Sequence, residues 1–316
     1  MRRGLLLVLL LAAAQARAEF SDGGQPESWT KLGTGARQLA MGRAATAMEG
    51  DAYSLGYNPA GLVSLARVSL GSQTALLSQD RRLDYLSLAK PLDLPNWHPG
   101  GGVSVSRFSL ESPVERRDTN TPEPIGQWYD TSYEFRLGVG SWLGDGPSSH
   151  AAVGASVRIY LDHIGDASGE GMALDLGSLY RLRSWITLAW SIQNVLAQHG
   201  WSDGSSDPSP IGFLGGAAAR FYERRILLSL ELEKNQAQDT RYRGGLEFWA
   251  VKERLALRAG WDADRPSAGL GFAMEYAGTG LGLDYAIRSD PAQSGALDHR
   301  ISLSLDFDTE DPGAGR

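Results

Sequence analysis

Arg300-Ile301-Ser302-Leu303-Ser304-Leu305-Asp306-Phe307, close to the C-terminus, decides the fold. Ile301, Leu303, Leu305 and Phe307 share one parity, and Arg300, Ser302, Ser304 and Asp306 share the other. A helix brings a side chain back to the same face only after three or four residues, so strict alternation reads as strand. The same rhythm recurs in Leu281, Leu283, Tyr285 and Ile287 against Gly282, Asp284, Ala286 and Arg288, and in Ile186, Leu188, Trp190 and Ile192 against Thr187, Ala189, Ser191 and Gln193. Read along the chain, it predicts about fourteen strands: 67–77, 82–90, 102–110, 131–143, 150–163, 169–182, 185–194, 211–223, 225–234, 241–250, 254–262, 267–276, 279–288 and 298–307. Most are near the roughly 9–11 residues that a tilted strand needs to cross a bilayer.

The connections carry a second signal. Tight turns at Arg183-Ser184, Arg224, Val251 to Glu253 and Ala277-Gly278, with a somewhat longer Gly144 to Ser149, alternate with longer links. The longer ones are Glu111 to Asp130, His163 to Ser168, Val195 to Pro210, Asn235 to Thr240, Asp262 to Pro266 and Ser289 to Leu297. Short turns at one end and loops at the other mark an outer-membrane barrel with both termini on the periplasmic side. Pro91 to Gly101 breaks the rule, being long where a short turn is expected.

The two faces differ in chemistry. Arg158, Asp175, Arg258, Glu275, Asp284, Arg288, Arg300 and Asp306 lie opposite the bulky apolar set, and Arg136 and Glu247 are read as further inward charges. An arginine facing lipid at mid-membrane costs about 2–4 kcal/mol, so these groups are expected to line the lumen. Trp142, Trp185, Trp261, Tyr276 and Phe307 fall near strand ends, where aromatic girdles belong. The fold class is therefore all-β: a transmembrane, antiparallel, up-and-down barrel of about fourteen strands spanning 67–307.

Bulk properties agree. The chain of 316 residues has no cysteine and a net charge of −7 without a basic stripe, which excludes a disulfide scaffold and argues against a nucleic-acid partner. Its mean hydropathy of −0.25 suits a barrel in which half of each strand is polar. Met1-Arg2-Arg3, an apolar run from Leu5 to Ala14 and Ala16-Arg17-Ala18 form a secretory signal peptide over 1–18, cut after Ala18. Glu rather than Cys at position 19 excludes a lipoprotein. Residues 308–316 form an acidic tail beyond Phe307.

Between signal and barrel, residues 19–66 read differently. GTGARQLAMGRAATAMEGDAYSLGYNPAGL, Gly33 to Leu62, is rich in Gly and Ala and lacks alternation, with a short helix expected within Gln38 to Met48. It is expected to pack inside the barrel as a plug. Arg37, Glu49 and Asp51 there read either as ion pairs to wall charges such as Arg136 or Glu247 that open a path when broken, or as a static buried network. Asn58-Pro59-Ala60-Gly61 reads either as a gate or as a turn into the first strand.

This stretch also resembles the hatch region of the FadL-like outer-membrane barrels, and more closely their shorter PorV/PorQ branch. The likeness rests on Gly35, Ala36, Arg37, Leu39, Ala40, Met41, Gly42, Ala44, Thr46, Ala47, Asp51, Ala52, Ser54, Asn58, Pro59, Ala60 and Gly61, in that order. Weaker echoes follow at Ala173 to Gly177 with Tyr180, and at Ser191 to Asn194. The resemblance implies a gating role for the hatch motif. It also implies either a transport or secretion-associated barrel of the PorV/PorQ type or a FadL-like channel for small hydrophobic compounds, with a structural barrel as a further alternative. The partners so implied are outer-membrane lipid, the assembly machinery, and a hydrophobic small molecule or a secretion-system subunit.

No motif argues for catalysis, a cofactor or a metal. His98, His150, His163, His199 and His299 show no metal-ligand spacing, and no G-x-S-x-G occurs. Gly33-Thr34-Gly35 and Gly278-Thr279-Gly280 lack the third glycine and the strand-to-helix setting of a nucleotide loop. Asp203 and Asp207, among serines in a polar loop, read as solvated residues before they read as calcium ligands.

Overall fold

A computed structural model describes residues 28–94, 97–110, 114–117, 124–144, 149–236, 238–290, 293 and 295–308. The signal peptide and all but the first residue of the acidic tail lie outside the described residues. Among the described residues, eighteen strands follow in chain order: β1 Val68–Leu76, β2 Arg81–Pro91, β3 Gly100–Leu110, β4 Val114–Arg117, β5 Pro124–Trp128, β6 Asp130–Trp142, β7 Ala151–Ile164, β8 Ala167–Arg183 and β9 Ile186–Gln193, then β10 Gln198–Trp201, β11 Ser206–Asp207, β12 Gly212–Phe221, β13 Ile226–Asn235, β14 Arg241–Val251, β15 Leu255–Asp262, β16 Arg265–Tyr276, β17 Thr279–Ser289 and β18 Leu297–Phe307. All but β4, β5, β10 and β11 pair antiparallel with their neighbours around a ring of fourteen strands. The ring closes where β1 meets β18, from Val68 opposite Phe307 to Leu76 opposite His299. Each expected segment overlaps one strand of this ring.

Outward positions carry the apolar side chains: Leu137 is 64% exposed, Leu230 56%, Leu270 52% and Ile301 52%. Inward positions of the same strands are buried, as with Arg136, Ser229 and Arg300. No helix among the described residues is long and apolar enough to cross a membrane.

The connections depart from expectation where strands outrun the wall. β7 and β8 reach Ile164 and Ala167, and β15 and β16 reach Asp262 and Arg265, so the two links expected to be long are two-residue turns. β8 continues past the end of β9 and exposes an edge; β10, expected to be loop, pairs there from Gln198 opposite Met172 to Trp201 opposite Gly169. β4 and β5 form a hairpin within Glu111 to Asp130. The anomalous link after Pro91 is a prolonged hairpin, with the Leu92 amide donating to the Pro99 carbonyl at 2.7 Å and Leu94 bridging Trp97. Trp142 is a further correction. It is 7% exposed and faces inward, on the parity of Gly138 and Gly140, with the Arg181 guanidinium 4.4 Å from its ring centroid.

Residues 28–66 hold no strand. The helix spans only Ala36–Ala40, because Gly42 and Arg43 take left-handed φ values of 63° and 60° and end it well short of Met48. 3₁₀ turns follow at Ser54–Gly56 and Pro59–Ser64. This segment meets inward-facing groups of every strand in the ring. Successive examples are Gln73, Tyr85, Gly100, Arg136, Gly154, Gly177 and Thr187 on β1 to β9. The circuit continues through Gly216, Glu231, Glu247, Gly260, Ser267, Ala286 and Ser302 on β12 to β18. Only a segment inside the ring can touch all of them.

Candidate functional site in the lumen

The segment sits close to the wall because both sides offer glycine. A Cβ on Gly42 would lie 2.5 Å from the Gly244 carbonyl oxygen and from both the N and O of Trp261. A Cβ on Gly260 would lie 2.1 Å from the Gly42 nitrogen, and one on Gly245 2.4 Å from the Met41 carbonyl oxygen. Met41 itself is fully buried, packed with Ala45, Ala47 and Met48 of the segment and Ala189, Ala218 and Leu227 of the wall.

Across the lumen, Gly154 and Gly177 make the same allowance for Asn58, Pro59 and Ala60. The Asn58 side chain caps the following turn by accepting from the Ala60 amide at 3.0 Å, and Pro59 supplies the preset first position. The Asn58 side-chain Nδ2 donates to the carbonyls of Thr46 and Ser178, each at 3.0 Å, tying two parts of the segment to β8. Ala60 packs with Trp142, Ala152 and Leu179, and Gly61 lies against Ser54.

Charged groups fasten the segment at three places. Arg37 donates to both carboxylate oxygens of Glu247 at 2.8 and 2.9 Å and reaches Asp51 at 3.5 Å. Glu247 also takes Arg258 at 2.7 Å, and Arg258 takes Asp284 at 2.6 Å. Glu49 accepts from Arg181 at 2.6 Å, Thr187 at 2.7 Å and Ser64 at 2.5 Å. Arg43 pairs with Asp262 at 3.2 Å, which also takes Arg243 at 2.9 Å and Arg288 at 3.2 Å.

That last carboxylate joins a belt over β13 to β18. Arg243 binds Glu231 at 2.7 Å as well as Glu233, Arg288 binds Asp298 at 2.8 Å, and Arg300 binds Asp298 at 3.0 Å. Arg300 also donates to the carbonyls of Leu32, at 2.9 Å, and Gly33. On the opposite wall, Arg136 pairs with Glu134 at 3.0 Å and donates to the Leu55 carbonyl at 2.9 Å, while Arg158 pairs with Asp175 at 2.7 Å. Buried ions are tolerated only when paired and hydrogen-bonded like this.

Two of the sequence-derived charges stand apart. Glu275 is 64% exposed at the short-turn rim, beside Arg67 at 3.4 Å, and Asp306 lies on the inward parity near Gly280. Glu134, Glu231, Glu233, Arg243, Asp262 and Asp298 were not singled out from the sequence. Asp298 shares parity with Arg300, and Glu231 and Glu233 with the inward Ser229, so parity alone could have found them.

The two carboxyls of the segment behave oppositely. Burial pushes the Glu49 carboxyl up, but the hydrogen bonds from Arg181 and Ser64 outweigh it and hold the group below its ordinary value. For Asp51, burial outweighs the attraction of Arg37 and the group is raised.

Besides the apolar clusters around Met41 and Ala60, one cluster is aromatic. Trp29 stacks on Phe108, with ring centroids 6.0 Å apart, in a nest completed by Leu32, Ala75, Leu77 and Leu83. The nest lies toward the long-loop end, by the β1–β2 turn. Of the other sequence candidates, Asp203 bonds Ser205, Asp207 accepts the Trp201 indole at 2.7 Å, and His299 meets the Tyr285 hydroxyl at 2.7 Å. His199 is buried 3.6 Å from Asp162. Among the described residues no cluster of His, Cys, Asp and Glu could hold a metal ion.

No protein-family model matches the sequence, and no curated protein is similar to it. Solved structures do share the fold. A deletion mutant of the monoaromatic hydrocarbon channel TodX matches with a TM-score of 0.58 at 14% identity, covering 88% of this chain and 99% of the other. The toluene transporter TbuX of Ralstonia pickettii matches at 0.57 and 11% identity, covering 86% and 97%. A FadL homologue of Pseudomonas aeruginosa matches at 0.54 and 9% identity, covering 87% and 98%. At these identities the likeness is one of fold: the chain is a closed fourteen-stranded barrel of the kind found in outer membranes.

Proposed function

We propose that this protein is an outer-membrane channel that admits small hydrophobic compounds, with residues 28–66 as its hatch. The observation that carries this reading is the packed nest around Trp29, where an indole stacks on Phe108 among buried aliphatic side chains at the long-loop end of the lumen. A small aromatic compound resembles the ring that packs there. The names of the fold neighbours, a monoaromatic hydrocarbon channel and a toluene transporter, point the same way. They favour the hydrophobic-channel reading over a secretion partner of the PorV/PorQ type.

The glycine contacts and the Arg37, Glu49 and Arg43 ion pairs would make the hatch a latch of defined strength, with the Asn58-Pro59-Ala60-Gly61 corner as its fixed point on β8. The test is whole-cell uptake of labelled toluene, with and without expression of the protein, in cells whose own hydrocarbon channels are deleted. Faster uptake on expression, altered by Arg37→Ala, is the expected result; identical uptake with and without the protein rejects the reading.

A further inference from the structure

The outer wall is apolar around most of its circumference, but polar and charged residues interrupt it on β1 to β3 and, three strands on from β3, at Glu170 of β8. In register across the sheet, Leu88, Val103, Leu137 and Val157 form one outward row, and Leu86, Val105, Phe135 and Ile159 the next toward the long-loop end. The row after that reads Thr74, Asp84, Arg107 and Tyr133, although the same register shows Ile301 on β18 and Leu161 on β7. Asp84 is already satisfied: Arg82 donates to it at 2.9 Å and Thr74 at 2.8 Å. Arg107, exposed beside it, makes no ion pair with another described residue and is, among these, a surplus cation on the outward face. A surplus arginine there is unfavourable against hydrocarbon and favourable against an anionic headgroup.

The same strands hold an apolar groove. About 510 Å³ lies between Leu88, Val103, Leu137, Val139 and Val157, where outward Gly101 and Ala155 leave the wall thin. Val103 is four residues below Arg107 on one strand, about 13 Å along it. A lipid headgroup at the arginines could therefore lay an acyl chain over Val105 into the groove.

The geometry points to a binding surface for a phosphorylated, multiply acylated glycolipid of the outer leaflet, with Arg82 and Arg107 on its phosphate and the Gly101–Ala155 groove on its chain. This rests on the outer-membrane placement, with the long loops outside, but not on hydrocarbon transport. Charge selects this occupant over a second copy of the chain, which would bring the same surplus arginine to the contact, and over a zwitterionic phospholipid, whose own cation would oppose Arg107.

The test uses full-length protein in mild detergent, titrated with deep-rough lipopolysaccharide and followed by native mass spectrometry. Wild type should bind it. Arg82→Ala with Arg107→Ala should bind at least about tenfold more weakly, the loss expected for a charge-assisted hydrogen bond. Ala155→Phe, which fills the groove and leaves the charges, should also weaken binding, whereas Lys252→Ala at the opposite end should not. Equal binding by the double variant, equal binding of phosphatidylethanolamine by wild type, or dimers cross-linked through Arg107→Cys would each overturn the inference. Hydrocarbon uptake measured on the same variants keeps the two readings apart: a barrel that binds glycolipid without importing toluene refutes only the channel.

Discussion

Arg37 and Glu247, 210 residues apart in sequence, meet through two hydrogen bonds of 2.8 and 2.9 Å that clamp the lumenal segment to β14. Glu247 keeps Arg258 if Arg37 is removed, so its charge is never wholly unpaired. Arg37→Ala should lower stability by about 1.5–3 kcal/mol, the range for hydrogen bonds to charged groups. Urea unfolding of detergent-solubilised protein measures this, and amide exchange should quicken over residues 33–43 while the strands stay protected.

Gly42→Ala tests the contact between segment and wall. The added methyl meets backbone on both neighbouring strands rather than a side chain that can swing away, and φ is 63°. Residual strain of about 1–3 kcal/mol is expected. Trypsin should then cut after Arg37 or Arg43 faster than in wild type; equal rates would show that the segment tolerates displacement.

Asn58→Ala removes a cap and leaves the buried carbonyls of Thr46 and Ser178 without its amide. Loss of an N-cap alone is worth about 0.5–2 kcal/mol, and the variant should reach at least the upper end of that range. Asn58→Asp keeps the cap but not the donors, so comparing the two in urea separates the contributions.

Acid should reveal the opposite settings of Glu49 and Asp51. Glu49 is held below its ordinary value, so its contribution is present above the unfolded carboxyl value of about 4.3 and is lost as pH falls through the folded value. Asp51 is raised, so its contribution is present below about 3.9 and is lost as pH rises through the folded value. The stability of Glu49→Gln relative to wild type should therefore fall with rising pH, and that of Asp51→Asn should rise. Urea titrations at a series of pH values check both slopes; parallel slopes would contradict the assignment.

Leu137→Arg should destabilise the barrel in bilayers by about 2–4 kcal/mol, because that side chain is 64% exposed at the middle of β6. Replacing Leu137 with Ile should change little. Unfolding from lipid vesicles distinguishes a lipid-facing position from a water-facing one, where arginine would be harmless.

Parity made the barrel legible. A strand with lipid on one side and a polar interior on the other must alternate, and all fourteen do so strongly enough to be found singly. Parity gives the side of a residue but not its height, so the sequence could not say that Arg243 and Arg288 converge on Asp262. Asp262 reads from the sequence as the start of a loop because the strand pattern ends there. An aromatic at a strand end suggests a girdle, which is why Trp142 reads outward, although Gly138 and Gly140 share its parity and point inward. The alanines around Gly42 place the expected short helix within Gln38 to Met48, whereas it lies at Ala36–Ala40, because the wall at Gly244 and Trp261 demands a left-handed glycine that no local signal announces. β10 depends on the edge that β8 exposes beyond β9, and β4 and β5 pair only with each other, which single-strand patterns do not record.

Tyr53 has a consequence for assembly. Its hydroxyl lies 2.8 Å from the Ser72 carbonyl oxygen and 2.9 Å from that of Leu303, two residues that face each other across the β1–β18 junction. A phenol from the first part of the chain to be synthesised thus pins the first strand to the last. The final zippering of the cylinder can then register whether its contents have been loaded, and a copy made without them would circularise around a seam that lacks its rivet.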